Sequence, residues 1–539
     1  MTYRKQLFYL ITVSIVIKIF SACTQELSNV EAYYRALATQ LQWNYFDHPP
    51  IVAWLIRLTT VNLLLHGEVF VRLGAILSSS ICIWLMFKIG AALYSARAGW
   101  FAALLYAASI YSGMSVAAFI LPDSPQMVFW LASIYMLIKI VRLAPGESQY
   151  GRQWLLFGLF AGLSIMCKVH GVLLWLGAVM YLLFYNRIAF KNKYVFMAMG
   201  ITLIIISPII IWNIQHDFIS YRFHSSRVTM AGAPVDMVRF LKQFSAIVFS
   251  TGPIPFVLLC TGIYAVARGK LLVGKNELRI LLLCSLPLII IVLLISLFNE
   301  VLPHWPGPAL STLLLLPAVQ LALKPEHGKR KTPWVLKLSV AYFMLIALLG
   351  TLSINYFPGT LSAEKQGMKM GADDATLDMY GWRQAGMKFD SLRRVDIETK
   401  MMTAQAPIVI ADWITAAHID YYICEPAGIA TWGLGDAYSL HQYFWMNDHK
   451  RPLLKGENAY FIIPSNLFSY KNFNEVTGNF KDYNFALIFP EYRAGMICKE
   501  YYIIRLNGYK GNKPPLTGNK AAFLPGLKRA AFNNNRFGF

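Results

Sequence analysis

Residues 45–50 read Tyr45-Phe46-Asp47-His48-Pro49-Pro50, lying between apolar runs at 7–22 and 70–93. A carboxylate, an imidazole and a rigid proline pair therefore share one short loop beside two segments long enough to cross a bilayer. Glu31-Ala32-Tyr33-Tyr34 lies just beyond the first apolar run, in the same connection. Ionisable groups next to a membrane are costly and tend to be functional. The connection reads as a site at the membrane surface, and the runs around it decide the fold class.

Working outward, apolar runs recur at 7–22, 70–93, 101–119, 127–141, 154–166, 172–185, 195–212, 244–267, 280–298, 309–323 and 334–355. With 56% hydrophobic and 14% charged residues, the chain is too apolar for one soluble domain. The expected architecture is a polytopic α-helical membrane protein with about 11 transmembrane helices over residues 1–356. Its large first extracytoplasmic loop covers 23–67. Polar residues, Gly and Asn become common after that, and 357–539 reads as a small mixed α/β domain with strands at 407–411, 459–464, 486–489 and 501–506.

The net charge of +21 does not point to nucleic acid. Arg4, Lys5, Arg97, Arg152, Lys193, Arg268, Lys275, Lys329, Arg330 and Lys331 fall in alternate short connections, the positive-inside pattern. The N-terminus is then cytoplasmic, and the C-terminal domain is periplasmic on the inner membrane. The basic tail from Lys510 to Arg536 has no assigned role. Phe20-Ser21-Ala22-Cys23 loosely resembles a cleavage site, but a retained first helix keeps the helix count consistent. Cys424 and Cys498 share the C-terminal domain and form a disulfide pair if they are close enough.

This topology gathers the polar residues at one membrane face. The first loop carries Glu31, Tyr33, Tyr34, Asp47 and His48, and later loops bring Asp123, Lys168, His170, His216, Arg222, His224, Arg227, His304 and Trp305. Such convergence is what an active site requires. Each group also has a plainer reading. Glu31 suits a helix cap, Asp123 an N-cap before Pro125, and Pro49-Pro50 a turn. Lys168 suits a snorkelling lysine. Residues 52, 54, 55 and 58 repeat at helical spacing, which predicts an interfacial helix roofing a lateral opening.

Glu31-Ala32-Tyr33-Tyr34, the 45–50 block followed by Trp54-Leu55-Ile56-Arg57, Leu121-Pro122-Asp123, Lys168 and His304-Trp305-Pro306-Gly307-Pro308 together resemble the GT-C glycosyltransferases. The resemblance is to the dolichyl-phosphate-mannose–protein mannosyltransferase-like superfamily, whose bacterial relatives include aminoarabinose transferases acting on lipid A. Asp378-Met379-Tyr380-Gly381-Trp382 also fits it. The resemblance implies a polyprenyl-phosphate sugar donor and an acceptor that is a lipid, glycan or protein. Transfer would take place on the outer face of the membrane, with inversion. Glu31, Asp47 and Asp123 are then candidate catalytic carboxylates, and His48, Lys168, Arg222 and Arg227 candidate ligands of the donor phosphate. Tyr33, Tyr34, His170, His304 and Trp305 are candidate substrate contacts. A divalent metal, held by Asp47 and His48 if present, stays open as a cofactor. The family's usual first-loop Asp-Glu pair is Val30-Glu31 here, so the base is open among the three carboxylates. The alternatives are a lipid or sugar transporter or flippase, and a non-catalytic glycan-binding membrane protein.

Overall fold

The computed structural model describes residues 2–144, 146–230, 232, 234–324 and 332–511. Lys329, Arg330, Lys331 and the basic tail beyond residue 511 lie outside the described residues. Each apolar run is helical. Five helices are long and apolar enough to cross a membrane alone: Tyr3–Thr24, Glu68–Leu93, Lys193–Gln215, Lys275–Ser296 and Trp334–Tyr356. The first runs unbroken through residues 20–23. Two further runs are bent, Ala96–Ala108 with Tyr111–Ala118 by 76° and Met237–Thr251 with Pro253–Ala267 by 100°. The second bend falls where Gly252 adopts φ 91 and Pro253 opens the next helix. Glycine takes that conformation freely, and proline suits a first helical position. Asp123–Ile140 and Ser148–Cys167 are also helical, and Val169–Tyr185 and Gly307–Leu323 are shorter apolar helices. The chain is a multi-pass membrane protein of largely helical fold. Inside the first span, the buried Lys18 donates to Ser79 Oγ at 2.6 Å.

Residues 51–59 form the helix Ile51–Thr59, whose buried face is not the expected 52, 54, 55 and 58 stripe. Its inward face is Val52, Ala53 and Ile56, while Leu58 is exposed, as are Leu41, Trp43, Val61 and Leu64. Arg57 is held by Asn62 and by the Ala38 carbonyl at 2.8 Å.

The C-terminal domain carries a five-stranded mixed sheet: β1 Ile408–Ile410, β2 Thr431–Gly433, β3 Ala459–Pro464, β4 Phe480–Arg493 and β5 Met496–Tyr509. The order is β2-β1-β3-β5-β4, with β1 parallel to both neighbours and β5 antiparallel to β3 and β4. Arg493 pairs with Met496 across a two-residue turn at Ala494-Gly495, both at positive φ. That is the turn whose twist matches a hairpin. All four sequence-predicted strands are present. β2 is too short to stand out by pattern, and the hairpin is longer than its apolar runs. Cys424 and Cys498 are buried free thiols, so the expected disulfide is absent. Cys424 lies in the turn after Trp413–Ile419 and Cys498 in β5, where its thiol donates to the Glu491 carbonyl.

The Asp378–Trp382 stretch joins this domain to the membrane part. Glu26, just past the first helix, accepts from the backbone N–H groups of Trp382 and Arg383 at 2.8 and 3.0 Å, so it caps the helix Trp382–Glu398. Trp382 stacks on His418 at 4.2 Å, and His418 pairs with Asn29 at 2.8 Å. Tyr422 donates to Glu68 at 3.0 Å, and Arg35 pairs with Glu425 at 2.7 Å. Burial pushes the Asp378 and Glu491 carboxyls up to about 7, against the pull of the buried Lys499 amine. A carboxyl raised by folding stabilises fully below its unfolded value of about 4, and that stability fades as pH rises through about 7. The thermal midpoint should therefore fall between pH 5 and 8, and Asp378→Asn with Glu491→Gln should flatten that slope. A flat wild-type profile by scanning fluorimetry would contradict this.

Candidate active site

The helix Asn29–Leu37 starts with a capping box, in which Ser28 and Glu31 satisfy each other's end of the first turn. Glu31 is fully buried. Its carboxylate accepts from Ser28 N–H (3.0 Å) and Oγ (2.9 Å), from Ile120 N–H (3.1 Å) and twice from Arg72 at 2.8 Å. Arg72 spends its other N–H groups on the carbonyls of Ala22, Gln25 and Glu26. This carboxylate ties three segments together and offers no open lone pair to a substrate.

The next turn of the same helix points elsewhere. Tyr33 donates to Asp47 Oδ1 at 3.0 Å, and the Tyr34 ring packs edge-on against His48 at 5.5 Å. The 45–48 backbone closes on itself, with Tyr45 N–H donating to the His48 carbonyl at 3.1 Å. This presents Asp47 while Pro50 starts the following helix. Asp47 Oδ2 faces His441 Nδ1 at 3.6 Å and His48 Nε2 at 3.9 Å, both longer than a hydrogen bond. His224 Nε2 reaches the Asp47 carbonyl at 2.8 Å. Burial works to raise the Asp47 carboxyl, but His48, His441 and His224 together hold it well below the usual carboxylate range. Burial pushes His48 down to about 4 despite Asp47, with His224 and Lys168 adding to the fall, so at neutral pH its imidazole is uncharged.

Asp123 opens its helix beside this group. Its Oδ2 binds Lys168 Nζ at 2.8 Å and its Oδ1 accepts from Tyr111 at 3.0 Å. Lys168 ends the helix Ser148–Cys167 in an extended conformation, and its carbonyl accepts from Gln126 at 3.1 Å. His170 follows in a 3-10 turn, facing Trp130, with its Nε2 buried and unpartnered. His304 lies within electrostatic reach of Lys168, Asp123, His48 and Arg227, and burial pushes it down to about 3.

The structure thus gathers Tyr33, Tyr34, Asp47, His48, Asp123, Lys168, His170, Arg227 and His304 into one neighbourhood. Arg222 and Arg227 separate. The 213–239 connection contains the helix Ile219–Val228, where Arg227 lies over Phe223 and senses Asp47, while Arg222 is exposed and near Tyr438. Trp305 packs half-buried against the core. Sequence reasoning missed Arg72, Tyr111 and His441. Tyr111 and Arg72 sit inside apolar runs, and His441 belongs to the C-terminal domain.

Among the described residues, no group of three or more His, Cys, Asp or Glu side chains is arranged to hold a metal ion. Asp47 Oδ1 is taken by Tyr33, and Asp123 is taken by Lys168 and Tyr111. The donor set does not fit a metal at Asp47 and His48.

The family model for dolichyl-phosphate-mannose-protein mannosyltransferase matches residues 47–212, from the Asp47 loop to the end of the seventh apolar run. A lipid A galacturonosyltransferase, RgtD of Rhizobium johnstonii, is 23% identical over 301 residues, covering 56% of this chain and 62% of that protein. The chain therefore matches less than two thirds of that relative's length. The fold is similar to ArnT from Cupriavidus metallidurans bound to undecaprenyl phosphate, with TM-score 0.62 and 14% identity over 95% of this chain and 99% of that one. It is similar to the apo state of the same protein at TM-score 0.58 and 13% identity, over 93% and 98%. The chain shares its fold with the ArnT structures, and residues 47–212 carry the match to the dolichyl-phosphate-mannose-protein mannosyltransferase family model.

Proposed function

We propose that the protein is a membrane glycosyltransferase that moves a sugar from a polyprenyl phosphate to a hydroxyl acceptor on the outer face of the cytoplasmic membrane. The observation that carries this reading is the Asp47 carboxylate, held well below the usual carboxylate range, with Oδ2 accepting no close hydrogen bond and His48 linking it electrostatically to the Asp123–Lys168 pair. The acceptor hydroxyl oxygen attacks the anomeric carbon and its proton passes to Asp47 Oδ2. The bond from that carbon to the phosphate oxygen breaks, and polyprenyl phosphate leaves with the electron pair. The transition state has oxocarbenium character, and one displacement inverts the anomeric centre. The leaving phosphate needs cations. An ammonium has three donors, of which Asp123 takes one on Lys168, and Arg227 adds a guanidinium to the same neighbourhood. Neutral His48, His170 and His304 supply hydrogen bonds to phosphate or sugar, and Tyr33 orients Asp47. Glu31 is a structural partner of Arg72, and the base role falls to Asp47.

The likeness to ArnT bound to undecaprenyl phosphate supports the donor class, and the likeness to a lipid A galacturonosyltransferase supports a lipid acceptor. The N-terminus is then cytoplasmic, with residues 357–539 as a periplasmic domain. Proteoliposomes loaded with sugar-labelled polyprenyl phosphate in one leaflet test this against a flippase. The enzyme releases free polyprenyl phosphate and labels an acceptor. Intact donor appearing in the opposite leaflet, with no product, would overturn the reading.

A further inference from the structure

The turn His441-Gln442 reaches from the C-terminal domain into the membrane-face site. The short helix Ala437–Leu440 is capped by Asp436, whose side chain accepts from the N–H groups of Tyr438 and Ser439 at 2.8 Å. His441 ends that helix at φ 50, ψ −134, a conformation that suits glycine and is strained for a side chain with a Cβ. Strain of this kind persists where surrounding contacts over-determine it. Those contacts are present. The imidazole is buried, lies parallel to Trp413 at 5.1 Å, and meets Phe46, Phe223 and Tyr33 at 5.1, 5.4 and 5.9 Å. Its Nδ1 has no hydrogen-bond partner and faces Asp47 Oδ2 at 3.6 Å.

Gln442 holds the other side of the same carboxylate. Its backbone N–H donates to Tyr33 Oη at 3.3 Å, and Tyr33 in turn donates to Asp47 Oδ1. Its side-chain oxygen accepts from Phe46 N–H at 2.9 Å, one residue before Asp47. Two consecutive residues of the C-terminal domain therefore bracket both oxygens of Asp47, one directly and one through Tyr33. A turn serving only to fill the aromatic nest would have no need of a nitrogen aimed at the carboxylate.

We propose that His441 is a positioning residue: the C-terminal domain completes the site by holding Asp47 Oδ2 in the orientation that receives the acceptor proton. This rests on the reading of Asp47 as the base. Two substitutions separate positioning from packing. Asn places an amide nitrogen where imidazole Nδ1 sits but gives up the ring, whereas Phe keeps the stacked ring and gives up the nitrogen. In the full-length purified protein, His441→Phe should lower kcat by about tenfold to a hundredfold, the scale of a misplaced catalytic group. Donor KM should stay nearly unchanged, and His441→Asn should recover part of the loss. Thermal midpoints identify any variant that fails to fold, and His441→Gly, free of backbone strain, replaces it. The contact is also read without turnover. The antisymmetric carboxylate stretch of Asp47, isolated as wild type minus Asp47→Asn in the infrared, should shift in His441→Phe and stay near its place in His441→Asn. Full activity in His441→Phe, or an Asp47 band indifferent to both variants, would overturn the positioning role. A wild type inert toward every donor but with the band shift intact would overturn the proposed function and leave the contact standing.

Discussion

Asp47→Asn should lower kcat for sugar transfer by about a thousandfold, within the range that a positioned general base contributes. The amide keeps the shape of the carboxylate and still accepts from Tyr33, so the variant should fold and bind polyprenyl phosphate as the wild type does. The pH profile carries the same argument. Asp47 is held well below the usual carboxylate range by the imidazoles of His48, His441 and His224, against the cost of burial. Tyr33, Tyr34 and Arg227 are the other titratable groups that sense it. A base is competent in its ionised form, so a depressed value extends activity toward acid. The acid limb of kcat/KM should lie below about pH 4, where an ordinary aspartate would already be half protonated. A limb at pH 5 to 6, or an active Asp47→Asn, would move the base to another group. Asp123→Asn, which should weaken phosphate binding through Lys168, is the variant to compare.

Glu31→Gln should act on the fold rather than on the reaction. It leaves the Arg72 guanidinium, 1% exposed, without the carboxylate that meets it at 2.8 Å on both oxygens. Removing one partner of a buried ion pair typically costs about 3–5 kcal/mol, because the other charge stays in place without compensation. The purified variant should melt well below wild type and express poorly, yet turn over normally per folded molecule. Replacing both partners removes the uncompensated charge, so Glu31→Gln with Arg72→Met should recover part of the stability. A Glu31→Gln protein with a wild-type melting curve and no turnover would make Glu31 the base instead.

These two carboxylates show how far the sequence could be read. Each hydropathy run coincides with helix, but among the described residues only five helices, or up to seven if each bent pair is one span, are long and apolar enough to cross a bilayer. The 45–50 block is visible because proline, imidazole and carboxylate are crowded into a short connection. Glu31 looked equally promising. Its capping-box spacing to Ser28 was local and legible, but its ion pair with Arg72 joins two apolar-flanked segments and leaves no periodic trace. Arg222 and Arg227 look alike in a connection whose sequence reads as a loop. On the helix Ile219–Val228, five residues turn through roughly 140°, so one faces the site and the other solvent. The 100° bend at Gly252 is signalled by Gly-Pro, yet the surrounding hydropathy does not change across it. His441 has no signal, because its contact with Asp47 joins residues nearly 400 apart in the chain.

The most direct test of the account is release of free polyprenyl phosphate by the purified wild-type protein, offered a panel of polyprenyl-phosphate sugars with lipid acceptors. At least one donor should be consumed, with phosphate-lipid and glycosylated acceptor formed in equal amounts and the anomeric configuration inverted. Every donor remaining intact beside a folded protein that still binds polyprenyl phosphate would contradict it.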